Sequence, residues 1–173
     1  LLTCHALDTL VKKLAWTGIA LLLAIIGYVA VIAIPLEAVK VERSTLTTSP
    51  ADVGLAFEDF VVSPQDADLN LSGWWMPAHK ARAILVFIHG GGSNRTSSYF
   101  GSLDFYRAMV DQGIAVVAID LRNHGASGGD GKGLQFGRTE KHDAAAAIAW
   151  ARTRNPQLPV FAMGISMGGA ALI

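Results

Sequence analysis

A serine set between glycines is the feature of this sequence that could most directly do chemistry, in the hexapeptide GISMGG at positions 164–169. The apolar residues 159–163 before it predict a strand, and the small apolar residues after it predict a helix. A serine at so sharp a turn has a strained backbone that lifts its Oγ clear of the sheet. Side chains at 164 or 168 would collide with the turn, so glycine is needed there. The spacing is typical of a nucleophile elbow, with a chance match of so short a pattern as the alternative.

A second glycine-rich stretch, HGGG at positions 89–92, follows an uninterrupted apolar run over 83–88. Apolar residues without alternation are typical of a strand buried on both faces of a parallel sheet. Glycines after such a strand let backbone N–H groups approach a substrate oxygen, the alternative being a purely structural turn. Arg95 stands where a dinucleotide-binding motif needs its third glycine, and no Gly-Lys-Ser or Gly-Lys-Thr follows. The sequence therefore excludes both kinds of nucleotide-binding loop here.

These motifs lie in a chain that alternates predicted strands with predicted helices. We expect strands at 56–62, 69–76, 83–88, 114–119 and 159–163, and helices at 99–112 and 136–154. This alternation predicts an α/β domain with a mostly parallel sheet. Trp74 and Trp75 are neighbours in a strand and should face opposite sides of it. We expect them in an aromatic core or rim, with a substrate-binding surface as the alternative.

A turn after the strand at 114–119 completes the pattern, with the sequence DLRNHGAS at positions 120–127. The order of the three motifs, each after a predicted strand, resembles the α/β-hydrolase fold over about residues 56–173. Within that superfamily the chain is similar to membrane-anchored serine hydrolases, which have one helix before the hydrolase domain. The resemblance implies an enzyme of the carboxylesterase or lipase kind, and a small-molecule or lipid-like ester as its substrate.

The resemblance also implies roles for individual residues. Ser166 would form an acyl-enzyme, and the backbone N–H groups of Met167 and Gly91 would form the oxyanion hole. In this superfamily the turn at 120–127 is mainly structural. No cluster of His, Asp or Glu has the spacing of a metal site, and we expect neither a metal nor a cofactor.

The site is incomplete in one respect. In this fold the catalytic triad runs serine, then Asp or Glu, then His along the chain, but residues 167–173 contain none of these. Together with Leu rather than Met at position 1, this predicts the N-terminal part of a longer hydrolase, inactive as residues 1–173 alone. Two alternatives stay open: a non-catalytic, membrane-anchored module of the same fold, and a serine peptidase of the same fold. The sequence indicates no oligomeric state.

An uncharged stretch of 21 residues, 14–34, lies near the N-terminus. At about 1.5 Å per residue it would form a helix of about 31 Å, close to the thickness of the hydrocarbon layer of a membrane. We therefore divide the chain into an N-terminal flank (1–13), a transmembrane helix (14–35), a linker (36–54) and the N-terminal part of a hydrolase domain (55–173).

A buried core helix and a cleaved signal peptide are the alternatives for this stretch. The run is longer than most core helices and longer than the ~7–15 apolar residues of a signal peptide, so we expect an uncleaved single-pass anchor. Lys12 and Lys13 flank its first end, and Lys40 and Arg43 follow its second. The tighter pair favours an N-terminus in the cytoplasm and a domain on the non-cytoplasmic side.

The charges of the chain balance, with 14 basic and 14 acidic residues. Without a basic excess, nothing indicates nucleic acid as a partner. The single cysteine, Cys4, excludes a disulfide framework and a cysteine-based metal site within this sequence.

Overall fold

The computed structural model describes residues 4–173, which divide into two compact units with the boundary after Lys40. The first unit is one continuous helical segment, made of α1 (Cys4–Tyr28), a π-helical turn (Val29–Ala33) and α2 (Ile34–Ala38). Its part Ala6–Ala38 is long and apolar enough to cross a membrane by length and composition, with a mean hydropathy of 2.8 in its most apolar window.

The helix continues through Pro35, where the apolar stretch in the sequence ends. Proline has no N–H, and its ring clashes with the carbonyl four residues earlier, so it normally ends or bends an α-helix. Here a π-helical turn precedes it, and the N–H of Ile34 bonds to the carbonyl of Val29, five residues back. The wider turn accommodates the ring. The helix therefore runs on to Ala38, three residues past the predicted end of the span at 35.

The second unit holds a five-stranded sheet with helices on both faces. Its elements in chain order are a 3₁₀ turn (Pro50–Val53), β1 (Glu58–Val62), β2 (Leu71–Met76), β3 (Ala83–Ile88), α3 (Ser102–Asp111), β4 (Ile114–Ile119), α4 (Glu140–Arg154), β5 (Val160–Gly164) and α5 (Met167–Ala170). The predicted bounds of β3 and β4 are confirmed to the residue. Both large helices begin later than predicted, because Gly101 (φ 66°) and Gly137 (φ 95°) have positive φ angles that no helix contains.

The strand order in the described sheet is β1-β2-β4-β3-β5. β2 pairs antiparallel with β1 and with β4, whereas β3 pairs parallel with β4 and β5. β1 therefore runs in the same direction as β3, β4 and β5, and β2 alone is reversed in this sheet. The prediction of an α/β fold with mostly parallel strands is confirmed.

Two apolar layers cover the two faces of the sheet, one against α4 and the other against α3. β3 contributes to both, with Ile88 packed in the α4 layer and Phe87 in the α3 layer. Trp75 lies in the α4 layer and Trp74 in the α3 layer, so their opposite orientation agrees with the prediction. Burial on both faces explains why β3 and β4 are uninterrupted apolar runs.

Candidate active site

Three loops meet at one edge of the sheet, because β4, β3 and β5 are parallel neighbours whose carboxyl ends lie together. The HGGG stretch follows β3, the turn at 120–127 follows β4, and Ser166 lies two residues after β5. The N–H of Ile165 bonds to the carbonyl of Ile88 at 3.0 Å and links the serine turn to β3. The three sequence motifs are therefore neighbours in space.

Ser166 has a backbone conformation that residues other than glycine rarely adopt, with φ of 50° and ψ of −117°. The residue is exposed. A Cβ on Gly164 would lie 2.2 Å from the carbonyl oxygen of Gly168, and a Cβ on Gly168 would lie 2.3 Å from that of Ile88. Both positions therefore require glycine, and the crowded turn around them holds Ser166 in its strained conformation.

The backbone N–H groups of Gly91 and Met167, both near Ser166, have no hydrogen-bond partner within residues 4–173. The N–H of Gly92, by contrast, donates to Nε2 of His124 at 3.0 Å. Gly91 and Met167 also lie close together, since a Cβ on Gly91 would be 3.6 Å from the Met167 Sδ. Both of the backbone groups that the sequence suggests for an oxyanion hole are thus unpaired and near the serine.

Two buried histidines tie the loops to one another. His89 accepts the N–H of Leu121 through Nε2, and His124 accepts the N–H of Gly92 in the same way, each at 3.0 Å. Each Nδ1–H donates to a backbone carbonyl 2.7 Å away, which assigns the same neutral tautomer to both rings. Burial lowers the pKa of His89 to about 3 and also lowers the pKa of His124. Neither ring has a free nitrogen, so neither can take a proton from Ser166.

Asp120 is fully buried at the start of the turn at 120–127. Its carboxylate accepts the N–H of Arg95 at 2.7 Å and that of Ala126 at 2.8 Å, and the Arg95 guanidinium lies 3.6 Å away. Burial raises the pKa of Asp120, an effect that Arg95 opposes. A Cβ on Gly125 would lie 2.1 Å from the carboxylate. Among the described residues these contacts all lie within the loops, and Asp120 shapes them without touching Ser166.

Arg122 is buried among three carboxylates and binds α4 to the connection between β1 and β2. Its guanidinium donates to Asp66 at 2.7 and 3.0 Å and to Asp143 at 2.7 and 3.0 Å, with Asp130 at 3.8 Å. Burial alone would lower the pKa of Arg122, but the hydrogen bonds to Asp66 and Asp143 outweigh it and raise this pKa. The hydrogen bond from Arg122 lowers the pKa of Asp66. Arg122 therefore has a structural role.

A cavity of about 550 Å³ opens beside Ser166 and Gly91. Most of the lining residues carry hydroxyl groups and none is charged, the hydroxyl-bearing ones being Ser44, Thr45, Thr47, Thr48, Ser93, Thr96, Ser97, Ser98, Tyr99 and Ser166. Part of the wall comes from residues 44–48, which the sequence places in a linker. No sequence motif marks them as part of a site.

Among the residues whose side chains the structure describes, no histidine and no carboxylate lines this cavity. The structure thus brings together Ser166, Gly91 and Met167 but adds no general base to them. No group of three or more His, Cys, Asp or Glu among the described residues could hold a metal ion.

The sheet order, the single reversed strand and the strained serine after β5 define the α/β-hydrolase fold. Residues 79–173, just over half of the chain, match the family described as serine aminopeptidase, S33. The chain therefore belongs to this family. No curated protein matches the chain at a significant level.

Solved structures of ester hydrolases are similar to this chain. An esterase from Pyrococcus furiosus is 26% identical with a TM-score of 0.68, over 76% of this chain and 50% of its own. A thermostable carboxyl esterase from Bacillus coagulans is 25% identical with a TM-score of 0.55, over 66% of this chain and 37% of its own. A dienelactone hydrolase from Anabaena variabilis is 24% identical with a TM-score of 0.57, over 69% of this chain and 56% of its own. This similarity shows the fold alone. The chain spans about half the length of these proteins or less.

Proposed function

We propose that Ser166 is the nucleophile of a serine hydrolase that cleaves an ester-type bond through an acyl-enzyme. One observation carries the proposal: an exposed, strained serine borders a cavity, with the unpaired N–H groups of Gly91 and Met167 beside it. The similarity to structures described as esterases supports the ester class.

The chemistry begins when Oγ of Ser166 attacks the ester carbonyl carbon while a general base takes its proton. The carbonyl oxygen becomes an oxyanion, which the N–H groups of Gly91 and Met167 stabilise. The bond to the alcohol oxygen then breaks, and the alcohol leaves with the proton from the base. Water, deprotonated by the same base, attacks the acyl-enzyme, releases the acid and restores the serine.

None of the side chains that the structure describes at the cavity supplies the general base of this mechanism. His89 and His124 use both ring nitrogens in hydrogen bonds to backbone groups, and residues 167–173 contain no His, Asp or Glu. Loss of triad members costs about 10⁴- to 10⁶-fold in kcat in well-studied serine hydrolases. We therefore expect the kcat of residues 1–173 by themselves to be lower than that of an enzyme with a complete triad by a factor of this size.

Peptide-bond cleavage is the second candidate, because the family description names an aminopeptidase. An aminopeptidase must bind the charged amino group of its substrate, for which a carboxylate is the natural partner. None of the described residues that line the cavity is charged, which favours a neutral ester over a peptide. Assays of matched ester and aminoacyl-amide substrates should show faster turnover of the ester, and a preference for the amide would contradict this assignment.

Fluorophosphonate labelling tests the nucleophile, because these reagents react rapidly only with an activated serine. In membranes of the cells that make the protein, the wild type should give a labelled band that Ser166→Ala abolishes. Ser63→Ala, an exposed serine that does not line the cavity, is the matched control and should keep the label. An unlabelled wild-type protein found near the 18.3 kDa of residues 1–173 would leave only the non-catalytic module.

We propose in addition that the helical first unit anchors the protein in a membrane, with the domain on the non-cytoplasmic side. The length and apolarity of Ala6–Ala38 support the anchor, and the lysine pair at 12–13 supports the orientation. Alkaline carbonate should leave the full chain in the membrane pellet and release a variant without residues 1–40. Protease added to intact spheroplasts or cells should digest the domain, and its protection would reverse the proposed orientation.

A further inference from the structure

Residues 43–49, which we call the strap, precede the 3₁₀ turn of the second unit and form neither helix nor strand. The sequence places them in a linker, yet side-chain contacts hold them against the domain. We infer that the strap is a wall of the substrate cavity and that Thr47 and Thr48 limit the size of the group an ester can place beside Ser166. The inference rests on the proposed esterase function and adds to it a determinant of substrate size.

Two side chains from the strap and the HGGG loop fix the first half of the strap. Arg43 donates to the carbonyl of Gly125 at 3.3 Å and to that of Ser127 at 2.5 Å. The buried side chain of Asn94 donates through Nδ2 to the carbonyl and the hydroxyl of Ser44, at 3.2 and 3.1 Å. Asn94 lies just after the HGGG stretch, so the strap is bound directly to the loop that carries the Gly91 N–H.

The second half of the strap is fixed by burial and by a helix cap. Leu46 packs against the apolar layer that contains Trp74. Ser49 donates its N–H to the carboxylate of Asp52 at 2.6 Å, and the following Pro50 is buried. Contacts at both ends therefore hold the backbone between them in a defined position.

Thr47 and Thr48 lie between these anchors and line two cavities at once. One cavity is the space of about 550 Å³ that contains Ser166. The other is a shallow, open cavity of about 380 Å³, lined by Trp74 and Arg95 among others. The same two residues border both spaces. We therefore expect smaller side chains at 47 and 48 to widen the cavity at Ser166 towards the open one.

The residues that line the two cavities differ in charge. The cavity at Ser166 has no charged lining residue in the described chain. The second cavity is lined by Asp52, Asp59 and Arg95, and the buried Nε of Arg95 has no hydrogen-bond partner among the described residues. An apolar group pressed against these charges would desolvate them at a cost. The strap thus confines the substrate to the neutral space, which fits a compact, uncharged ester.

The test compares two fluorophosphonates that differ only in their alkoxy group, ethoxy or cyclohexyloxy, on membranes of the cells that make the protein. The double variant Thr47→Ala/Thr48→Ala should raise the ratio of the bulky to the compact labelling rate by about tenfold or more. Thr48→Trp should lower the same ratio, because it fills space instead of opening it. Thr153→Ala on α4, which lines neither cavity, is the control and should leave the ratio unchanged.

Both threonines are exposed, so the variants should keep the thermal stability of the wild type. A labelled wild type whose ratio is the same in the alanine and tryptophan variants would overturn the inference while leaving the esterase proposal intact. A wild type that neither probe labels would overturn both.

Discussion

Nε2 of His124 accepts the backbone N–H of Gly92, with 3.0 Å between the two nitrogens. Its Nδ1–H donates to the carbonyl of Arg122, so the ring is held from both sides. The contact engages the glycine that directly follows Gly91, whose own N–H is unpaired in the described chain. We therefore expect His124 to be a positioning residue, which acts on the candidate oxyanion hole through Gly92.

Replacing His124 tests this role. His124→Ala removes the acceptor, and the rate of fluorophosphonate labelling at Ser166 should fall by about 10- to 100-fold, since one misplaced oxyanion donor costs about that much or more. His124→Gln can present an amide oxygen at a similar reach and should recover part of the rate. If His124→Ala and His124→Gln label at the same rate after correction for the folded fraction, the hydrogen bond to the Gly92 N–H has only a structural role.

The two buried histidines predict how stability depends on pH. Burial lowers the folded-state pKa of His89 from 6.5 to about 3, so the unfolded chain binds the proton more readily below pH 6.5. Stability is then full above about pH 6.5 and falls as the pH drops towards 3, by about 1.4 kcal/mol per pH unit for this residue. His124 contributes in the same direction, whereas Asp120, whose pKa burial raises, opposes it.

Thermal unfolding in detergent between pH 7.5 and 5 measures this dependence. We expect the melting temperature to fall as the pH is lowered. The slope of melting temperature against pH should be shallower in His124→Gln, because glutamine cannot take up the proton. A melting temperature that rises steadily as the pH is lowered from 7.5 to 5 would contradict the assignment of both rings as neutral acceptors.

The parts of the fold that the sequence predicts well are those written in local patterns. The bounds of β3 and β4 follow from short, uninterrupted apolar runs, which are typical of a strand buried on both faces. The serine turn follows from glycine spacing, because Gly164 and Gly168 each meet a carbonyl oxygen within 2.3 Å of an added Cβ. Both features depend on residues close together in the chain, so they can be recognised in the sequence.

The strap could not be predicted in this way. A short polar segment rich in serine and threonine has the composition of a linker, and its own residues do not show that it is bound. What holds it comes from far along the chain: Asn94 is 50 residues from Ser44, and Ser127 is 84 residues from Arg43. Contacts of this separation appear only once the sheet has assembled.

Glycine at the serine turn gives a third prediction. Gly168→Ala would place Cβ 2.3 Å from the carbonyl oxygen of Ile88 and should destabilise the domain by more than about 2 kcal/mol, because backbone atoms must move. Gly169→Ala is the matched control in the same helix, where Cβ would lie 3.3 Å from the carbonyl oxygen of Gly164. Denaturant unfolding should show the larger loss of unfolding free energy for Gly168→Ala. The reverse order would show that the close contact with the Ile88 carbonyl does not decide which glycine is required.

Arg122 gives the last prediction, on stability rather than on chemistry. Arg122→Met leaves the carboxylates of Asp66 and Asp143 without their main partner, and the Asp143 side chain is fully buried. Removing one member of a buried ion pair costs about 3–5 kcal/mol. Arg122→Lys should recover little, because an ammonium group cannot form the paired hydrogen bonds of a guanidinium.

Two further variants separate the buried pair from general charge effects. Lys132→Ala removes an exposed lysine 3.9 Å from Asp130 and should cost less than about 1 kcal/mol. Arg122→Met/Asp143→Leu should be more stable than Arg122→Met alone, because the second change removes the unpaired buried carboxylate. Equilibrium unfolding measures all four proteins. If Arg122→Met costs no more than Lys132→Ala, the buried carboxylates are not held by the guanidinium, and the structural role assigned to Arg122 fails.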